Sequence, residues 1–232
     1  MIPWKEIDRA SVPGQGDRLI LKQRGTEFSI RTAETELMNS RIHGSEEALA
    51  SLALERTGLR PGLRILVGGL GMGYTLAAVL ANAGPDSAVH VVELIPEVIL
   101  WNQDHLGHLA GDPLKDQRVR VRTGDVGSVI REKAGAWDVI LLDVDNGPAG
   151  LTRKSNSRLY SEAGLVSLRT ALRPGGVAAV WSAAADDGFT RRMGRTGFDV
   201  KAVPVRARSC GKGSRHTIWT ARKKPRPAGS EA

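Results

Sequence analysis

Val139-Ile140-Leu141-Leu142 is an unbroken apolar run, and Ile65-Leu66-Val67 and Val91-Val92 are shorter ones. Such runs suit parallel strands covered on both faces. Helical spacing lies between and before them. Ala48, Leu49, Leu52 and Ala53 form an apolar stripe over residues 45–57, with Ser45 as the expected cap and Glu46 and Glu47 in the first turn. Beyond Gly58 and Pro61-Gly62 the pattern alternates. Strands are predicted over 64–67, 88–93, 119–123, 137–143 and 177–182, and helices over 75–82, 96–109, 127–134, 161–172 and 188–196. Two last strands, 200–206 and 216–221, flank the loop 211–214. The expectation is an α/β, doubly wound, Rossmann-like sheet with one antiparallel strand at its end. Ahead of it, extended stretches 18–22 and 27–32 meet across Arg24-Gly25 as a small N-terminal β-hairpin. Residues 1–17 hold Pro3, Pro13, Gly14 and Gly16 and read as irregular. The expected division is a hairpin element over 1–44, a Rossmann domain over 45–221 and a basic disordered tail over 222–232.

Charge changes this picture in one place. The net charge of the 232-residue chain is +8, and residues 201–232 carry nine Lys/Arg against one acid, whereas residues 1–200 carry 24 of each. The excess is therefore terminal. The Pro-broken, aromatic-free Arg222-Lys223-Lys224-Pro225-Arg226-Pro227 reads as a solvated tail, and with a balanced body no nucleic-acid partner is expected. Cys210 is the only cysteine, which excludes a disulfide framework. His90, His108 and His216 show no ligand spacing with carboxylates, so no metal is expected. No apolar run reaches the ~20 residues of a membrane span. Neither a membrane partner nor a signal peptide is expected, and the expected location is cytoplasmic.

Ligands of open parallel sheets bind beyond the carboxyl ends of the strands. Four such ends carry polar or glycine-rich residues. The first is Gly68-Gly69-Leu70-Gly71-Met72-Gly73, where Gly68, Gly69, Gly71 and Gly73 allow a tight turn and close backbone approach to a nucleotide. The second is Glu93-Leu94, about 20 residues on, the place of an acid that takes ribose hydroxyls. The third is Gly124-Asp125-Val126; Asp125 suits both an adenine amine and a helix cap. The fourth is Asp143-Val144-Asp145-Asn146-Gly147-Pro148, whose carboxylates can orient and deprotonate an acceptor, although Asp145 and Asn146 also suit a plain turn. His43, Tyr74, Trp181 and Arg41 are further candidates for the site, with packing or surface roles as the alternative.

These four ends in this order resemble the class I S-adenosylmethionine-dependent methyltransferase superfamily, and more closely its spermidine synthase group of aminopropyltransferases. Ile65–Leu76 is similar to that group's strand, G-G-G-D-G-G turn and T-L; Val92-Glu93-Leu94-Ile95-Pro96-Glu97-Val98-Ile99 resembles V-E-I-D-P-E-V-I; Trp137–Asp143 resembles Y-D-V-I-I-x-D. Gly124-Asp125 and Leu172-Arg173-Pro174-Gly175-Gly176-Val177 also have counterparts. The resemblance implies Gly68, Gly69, Gly71, Gly73, Glu93, Leu94, Asp125, Val126 and Asp143 around the nucleotide, with Glu93 on ribose, Asp125 on adenine, and Asp143 and Asp145 as catalytic acids.

Three departures stand out. Met72 replaces the Asp that holds the free amine of the decarboxylated cofactor in that group, Ser45-Glu46-Glu47 replaces Y-H-E, and the loop after Asp143 is two residues shorter. Losing a negative charge at 72 would relax selection against the carboxylate of intact S-adenosylmethionine. On that ground the expectation is methyl transfer from S-adenosylmethionine to a small amine-type acceptor. The alternatives are aminopropyl transfer from decarboxylated S-adenosylmethionine and modification of a nucleic acid. A homodimer is expected from the family habit.

Overall fold

The computed structural model describes residues 2–13, 18–58, 60–144, 158–207 and 213–224. The apolar run predicted as a strand is β8 (Trp137–Leu142), buried along its whole length. It pairs in parallel with β5 (Arg64–Gly68) and β9 (Leu172–Ser182). β6 (Ala88–Glu93) and β7 (Val119–Thr123) continue the parallel sheet beyond β5. β11 (Arg215–Lys223) lies beside β9 and runs antiparallel both to it and to the outermost β10 (Phe198–Arg206). The order is β10-β11-β9-β8-β5-β6-β7, with β11 as the one antiparallel strand. Both rims carry features that discourage further pairing, Arg120 and Arg122 on β7 and Pro204 on β10.

Strand side chains alternate between two faces. Ile65, Val67, Val139 and Leu141 point into a core shared with α1 (Gly44–Thr57), α2 (Tyr74–Asn82) and α3 (Pro96–Trp101). Leu66, Ile140, Leu142 and Val180 point into a second core with α4 (Val126–Glu132), α5 (Glu162–Ala171) and α6 (Asp187–Arg195). Side chains cap the last three helices: Asp125, Ser161 and Asp186 each accept a backbone N–H of the first turn.

Four expectations need correction. Within the stretch expected to be irregular, Lys5–Ser11 forms β1, with a bulge between Glu6 and Asp8. The expected hairpin is present as β2 (Arg18–Arg24) and β3 (Glu27–Arg31), and β1 and β4 (Glu36–Asn39) extend it to a four-stranded antiparallel sheet. It docks on the main domain where Asp8 accepts the indole N–H of Trp101 at 2.7 Å. Second, Arg222 and Lys223 belong to β11 rather than to a tail, since Arg222 pairs with both Asp199 and Val177. Third, β9 begins at Leu172 and absorbs Pro174-Gly175-Gly176 as an irregularity in its register with β8. Fourth, the helix expected over 96–109 widens after Trp101 into a π turn (Asn102–Leu106) and ends as a 3-10 turn (Gly107–Ala110). π turns often mark functional places; here the turn aims the Asn102 amide at the Gly71 carbonyl, 2.8 Å away.

Candidate active site

The glycine turn follows β5 directly. Gly69, Gly71 and Gly73 all have positive φ, and Gly73 starts α2 from a left-handed conformation. A Cβ on Gly69 would sit 2.2 Å from the Asp143 carbonyl, and one on Gly68 2.8 Å from Val126. The turn is therefore squeezed against the ends of β8 and α4. Met38 of β4 covers Gly71 from the other side. Met72 is 3% exposed and packs in the core.

Glu93 closes β6 with its carboxylate buried. One oxygen accepts the Leu70 N–H at 2.8 Å and the other the Ile95 N–H at 3.0 Å. The acid thus clasps the glycine turn to the next strand end. Each carboxylate oxygen can accept more than one hydrogen bond, so this clasp is compatible with a bound hydroxyl. Leu94, beside it, is half-buried. Asp125 caps α4, accepting from the Gly127 and Ser128 amides and the Ser128 hydroxyl, yet its side chain stays half exposed. Capping is thereby established for it, and Val126 follows as a buried wall next to Gly68.

Asp143 sits just past β8. Its amide donates to the Gly68 carbonyl, and Thr75 donates its hydroxyl to the Asp143 carboxylate at 2.7 Å. Burial pushes this carboxyl up from the ordinary carboxylate range; the Thr75 hydrogen bond opposes the shift and the charge of Glu93 adds to it. Asp145 lies outside the described residues.

A second acid enters from a direction the sequence pattern did not reveal. The cap of α1 is His43 and not Ser45, so Ser45 and Glu46 stand in the first turn, with Ser45 1% exposed. Ser45 donates to the Glu46 carboxylate at 2.7 Å. Burial, and next the charge of Asp143, push the Glu46 carboxyl up to about 7. Among the described residues neither Glu46 nor Asp143 has an ion-pair partner. Tyr74 stacks on His43 at 4.2 Å and donates to the Ser40 carbonyl; burial, with Glu46 and Glu47 nearby, pushes its phenol up to about 12. His43 also bonds Glu47 at 2.7 Å. His216 of β11 reaches Ser45 at 3.0 Å and meets the edge of Trp181.

The structure places Gly68, Gly69, Glu93, Val126 and Asp143 at the carboxyl ends of the central strands, with Thr75, Glu46, Ser45 and His216 near them. Arg41 is a surface residue facing Glu27, and Trp101 and His105 are respectively packing and surface. A concavity lined by Arg60, Asp138 and Arg173 lies at the opposite ends of the strands, where those charges pair with one another. No group of three potential metal ligands occurs among the described residues, and no helix among them is long and apolar enough to cross a membrane.

A doubly wound, mostly parallel sheet with this glycine turn after its first strand defines a Rossmann-like α/β scaffold. The chain belongs to the spermine/spermidine synthase domain family, which matches residues 45–184. A curated relative, the polyamine aminopropyltransferase of Synechococcus sp. (strain JA-2-3B'a(2-13)), is 30% identical over 138 residues, which are 58% of this chain and 38% of that protein. The chain therefore matches well under half the length of this relative. Among solved structures, a spermidine synthase in complex with the transition state analogue AdoDATO superposes with a TM-score of 0.72 at 17% identity, covering 94% of this chain and 72% of that one. The spermidine synthase of Thermotoga maritima gives 0.70 at 17%, with the same coverage. A probable spermidine synthase from Corynebacterium glutamicum gives 0.67 at 17%, covering 98% and 83%. At these identities the likeness establishes the fold.

These findings overturn the expectation of methyl transfer: the family and the curated relative point to aminopropyl transfer. The missing charge at Met72 does not outweigh them: that side chain packs in the core, and Glu46 supplies a carboxyl close enough to Asp143 for their charges to interact.

Proposed function

We propose that this protein transfers an aminopropyl group from decarboxylated S-adenosylmethionine to a small amine. The observation that carries the reading is the pair of buried carboxylates, Glu46 and Asp143, with no cation of the described chain beside them. Such a pair attracts a sulfonium and an ammonium and repels the carboxylate of intact S-adenosylmethionine.

The residues present suit that donor. The glycine turn brings backbone amides to the strand end where its tail would lie, Glu93 takes the ribose, and Asp125, Leu94 and Val126 flank the adenine. When bound, the donor supplies the electrophilic carbon beside its sulfonium. Alignment matters most in such a displacement. Asp143, fixed by Thr75, orients the acceptor nitrogen and draws off its proton. Asp145 is assigned by resemblance as a second contact for the acceptor.

The test is incubation with 1,3-diaminopropane, 1,4-diaminobutane or spermidine and each sulfonium donor in turn, with products weighed by mass spectrometry. Aminopropylated amine formed only with the decarboxylated donor is expected. Methylated amine, formed with the intact donor, would sink the reading.

A further inference from the structure

Each aminopropyl transfer releases one proton. The acceptor arrives as an ammonium, loses a proton so that its lone pair can form the new C–N bond, and the C–S electron pair leaves on sulfur. The proton must then exit a crevice whose acids are desolvated. Asp143 has its resting hydrogen bond from Thr75, a short side chain of α2 facing inward. Glu46 is placed differently.

A continuous hydrogen-bonded path leads away from Glu46. Ser45 donates to its carboxylate at 2.7 Å. The same hydroxyl lies 3.0 Å from Nδ1 of His216. Nε2 of His216 lies 3.1 Å from the hydroxyl of Ser214, which is exposed. The middle of the path is dry: Ser45 is 1% exposed, and the Trp181 ring closes on His216 edge-on at 4.7 Å. Backbone bonding fixes its length, because the Gly44 amide donates to the Ala207 carbonyl at 2.9 Å and the Ala207 amide to the Ser214 carbonyl at 3.0 Å. Hence α1, β10 and the start of β11 move as one.

We propose that Glu46, Ser45 and His216 form a proton-exit relay that carries the acceptor's proton from the Asp143 side of the crevice to solvent at Ser214. The proposal rests on the aminopropyl-transfer reading. In the relay, Glu46 takes the proton and gives it to the Ser45 oxygen, while the Ser45 hydroxyl turns from Glu46 to pass its own proton to Nδ1 of the Nε2–H tautomer of His216. His216 releases its Nε2 proton toward Ser214 and Glu46 returns to carboxylate; exchange of the ring proton with solvent and rotation of the hydroxyl restore the starting state. The ionisations are matched to the task. Burial lowers the imidazole of His216 below its ordinary range, which disfavours its charged form, while Glu46 titrates near neutrality. The other ionisable groups facing Glu46 are Asp143, Glu47 and Tyr74, with His43 behind Glu47. All but His43 are acids, and none offers a second path to solvent by a hydrogen bond to the Glu46 carboxylate.

Two measurements on the intact chain test this separately from the transfer reading. In the first, Ser45→Ala and His216→Gln are compared with the parent in kcat, KM and solvent deuterium isotope effect across pH 6–9. A fall in kcat of roughly ten-fold or more at the acidic end, with both KM values unchanged, is expected; free imidazole should restore part of the loss in His216→Ala. Parental kcat and an unchanged pH profile in both variants would overturn the relay. In the second, the ring of His216 is titrated by NMR in the parent and in Glu46→Gln, with no turnover required. The relay requires the midpoint to fall by roughly half a unit when the nearby carboxylate is removed. An unmoved midpoint overturns it even if transfer is confirmed. Failure of the parent to transfer to any amine tells against the reaction, and the titration then decides whether the chain of bonds exists.

Discussion

Burial raises the carboxyls of both Glu46 and Asp143 above the ordinary carboxylate range. For Glu46 the sign of the resulting pH dependence is definite. Its folded pKa, about 7, lies above the ordinary 4.5, so between those values the folded chain binds more protons than the unfolded one. Stability from this group is complete below pH 4.5 and declines as pH rises to about 7; the shift corresponds to at most about 3 kcal/mol. Glu46→Gln should flatten that slope in urea melts at pH 5, 6 and 7.5, and a slope equal to the parent's would count against a buried Glu46. Asp143→Asn keeps the shape and the Thr75 contact but removes the base, so kcat should fall about 100-fold or more with little change in melting temperature. Glu93→Ala frees the amides of Leu70 and Ile95 and should weaken binding of the decarboxylated donor about ten-fold or more, measured by calorimetry. Glu93 and Asp143 were legible because each stands at the end of an apolar strand, and Asp125 because it follows Gly124 just past a strand and ahead of a helix. Glu46 was not, because an acid in the first turn of a helix is ordinary dipole complementation unless tertiary packing buries it.

The element that positions most of the site is β5, the glycine turn and α2. Its sequence signal was strong because three glycines with positive φ cannot be replaced without strain. Gly69→Ala combines a forbidden φ of +90° with a Cβ 2.2 Å from the Asp143 carbonyl. The expected result is a loss of several kcal/mol in stability together with donor binding, seen as a large drop in melting temperature. A variant of parental stability would show that the turn is free to move away from Asp143. Other elements left weaker traces. β1 reads Lys-Glu-Ile-Asp-Arg-Ala-Ser, an edge strand with charged residues outward and a bulge that breaks its alternation, so its period was hidden. The π turn after Trp101 keeps a helical sequence while shifting its register, and composition does not encode that shift.

Across the whole molecule, distant stretches are tied by single side chains. Arg56, at the end of α1, donates to the carbonyl and hydroxyl of Thr220 and to the carbonyl and carboxylate of Asp199, and its side chain is 10% exposed. Arg56→Ala should cost about 2–4 kcal/mol in chemical denaturation, since two strand carbonyls lose a charged donor. The contact between Ser45 and His216 spans 171 positions of sequence, which is why pattern alone could gather the strand-end acids but not this pair. The antiparallel course of β11 has a practical consequence for anyone labelling or tethering the protein. A parallel strand would deliver its last residues to the crevice, whereas β11 delivers its first, with Thr217 opposite Ser182, and departs toward the far rim, where Arg222 lies opposite Val177. A dye or bead attached at Lys224 is therefore about 25 Å from His216, at the usual rise of a strand. Surface immobilisation through that end should leave the mouth of the crevice open to small molecules.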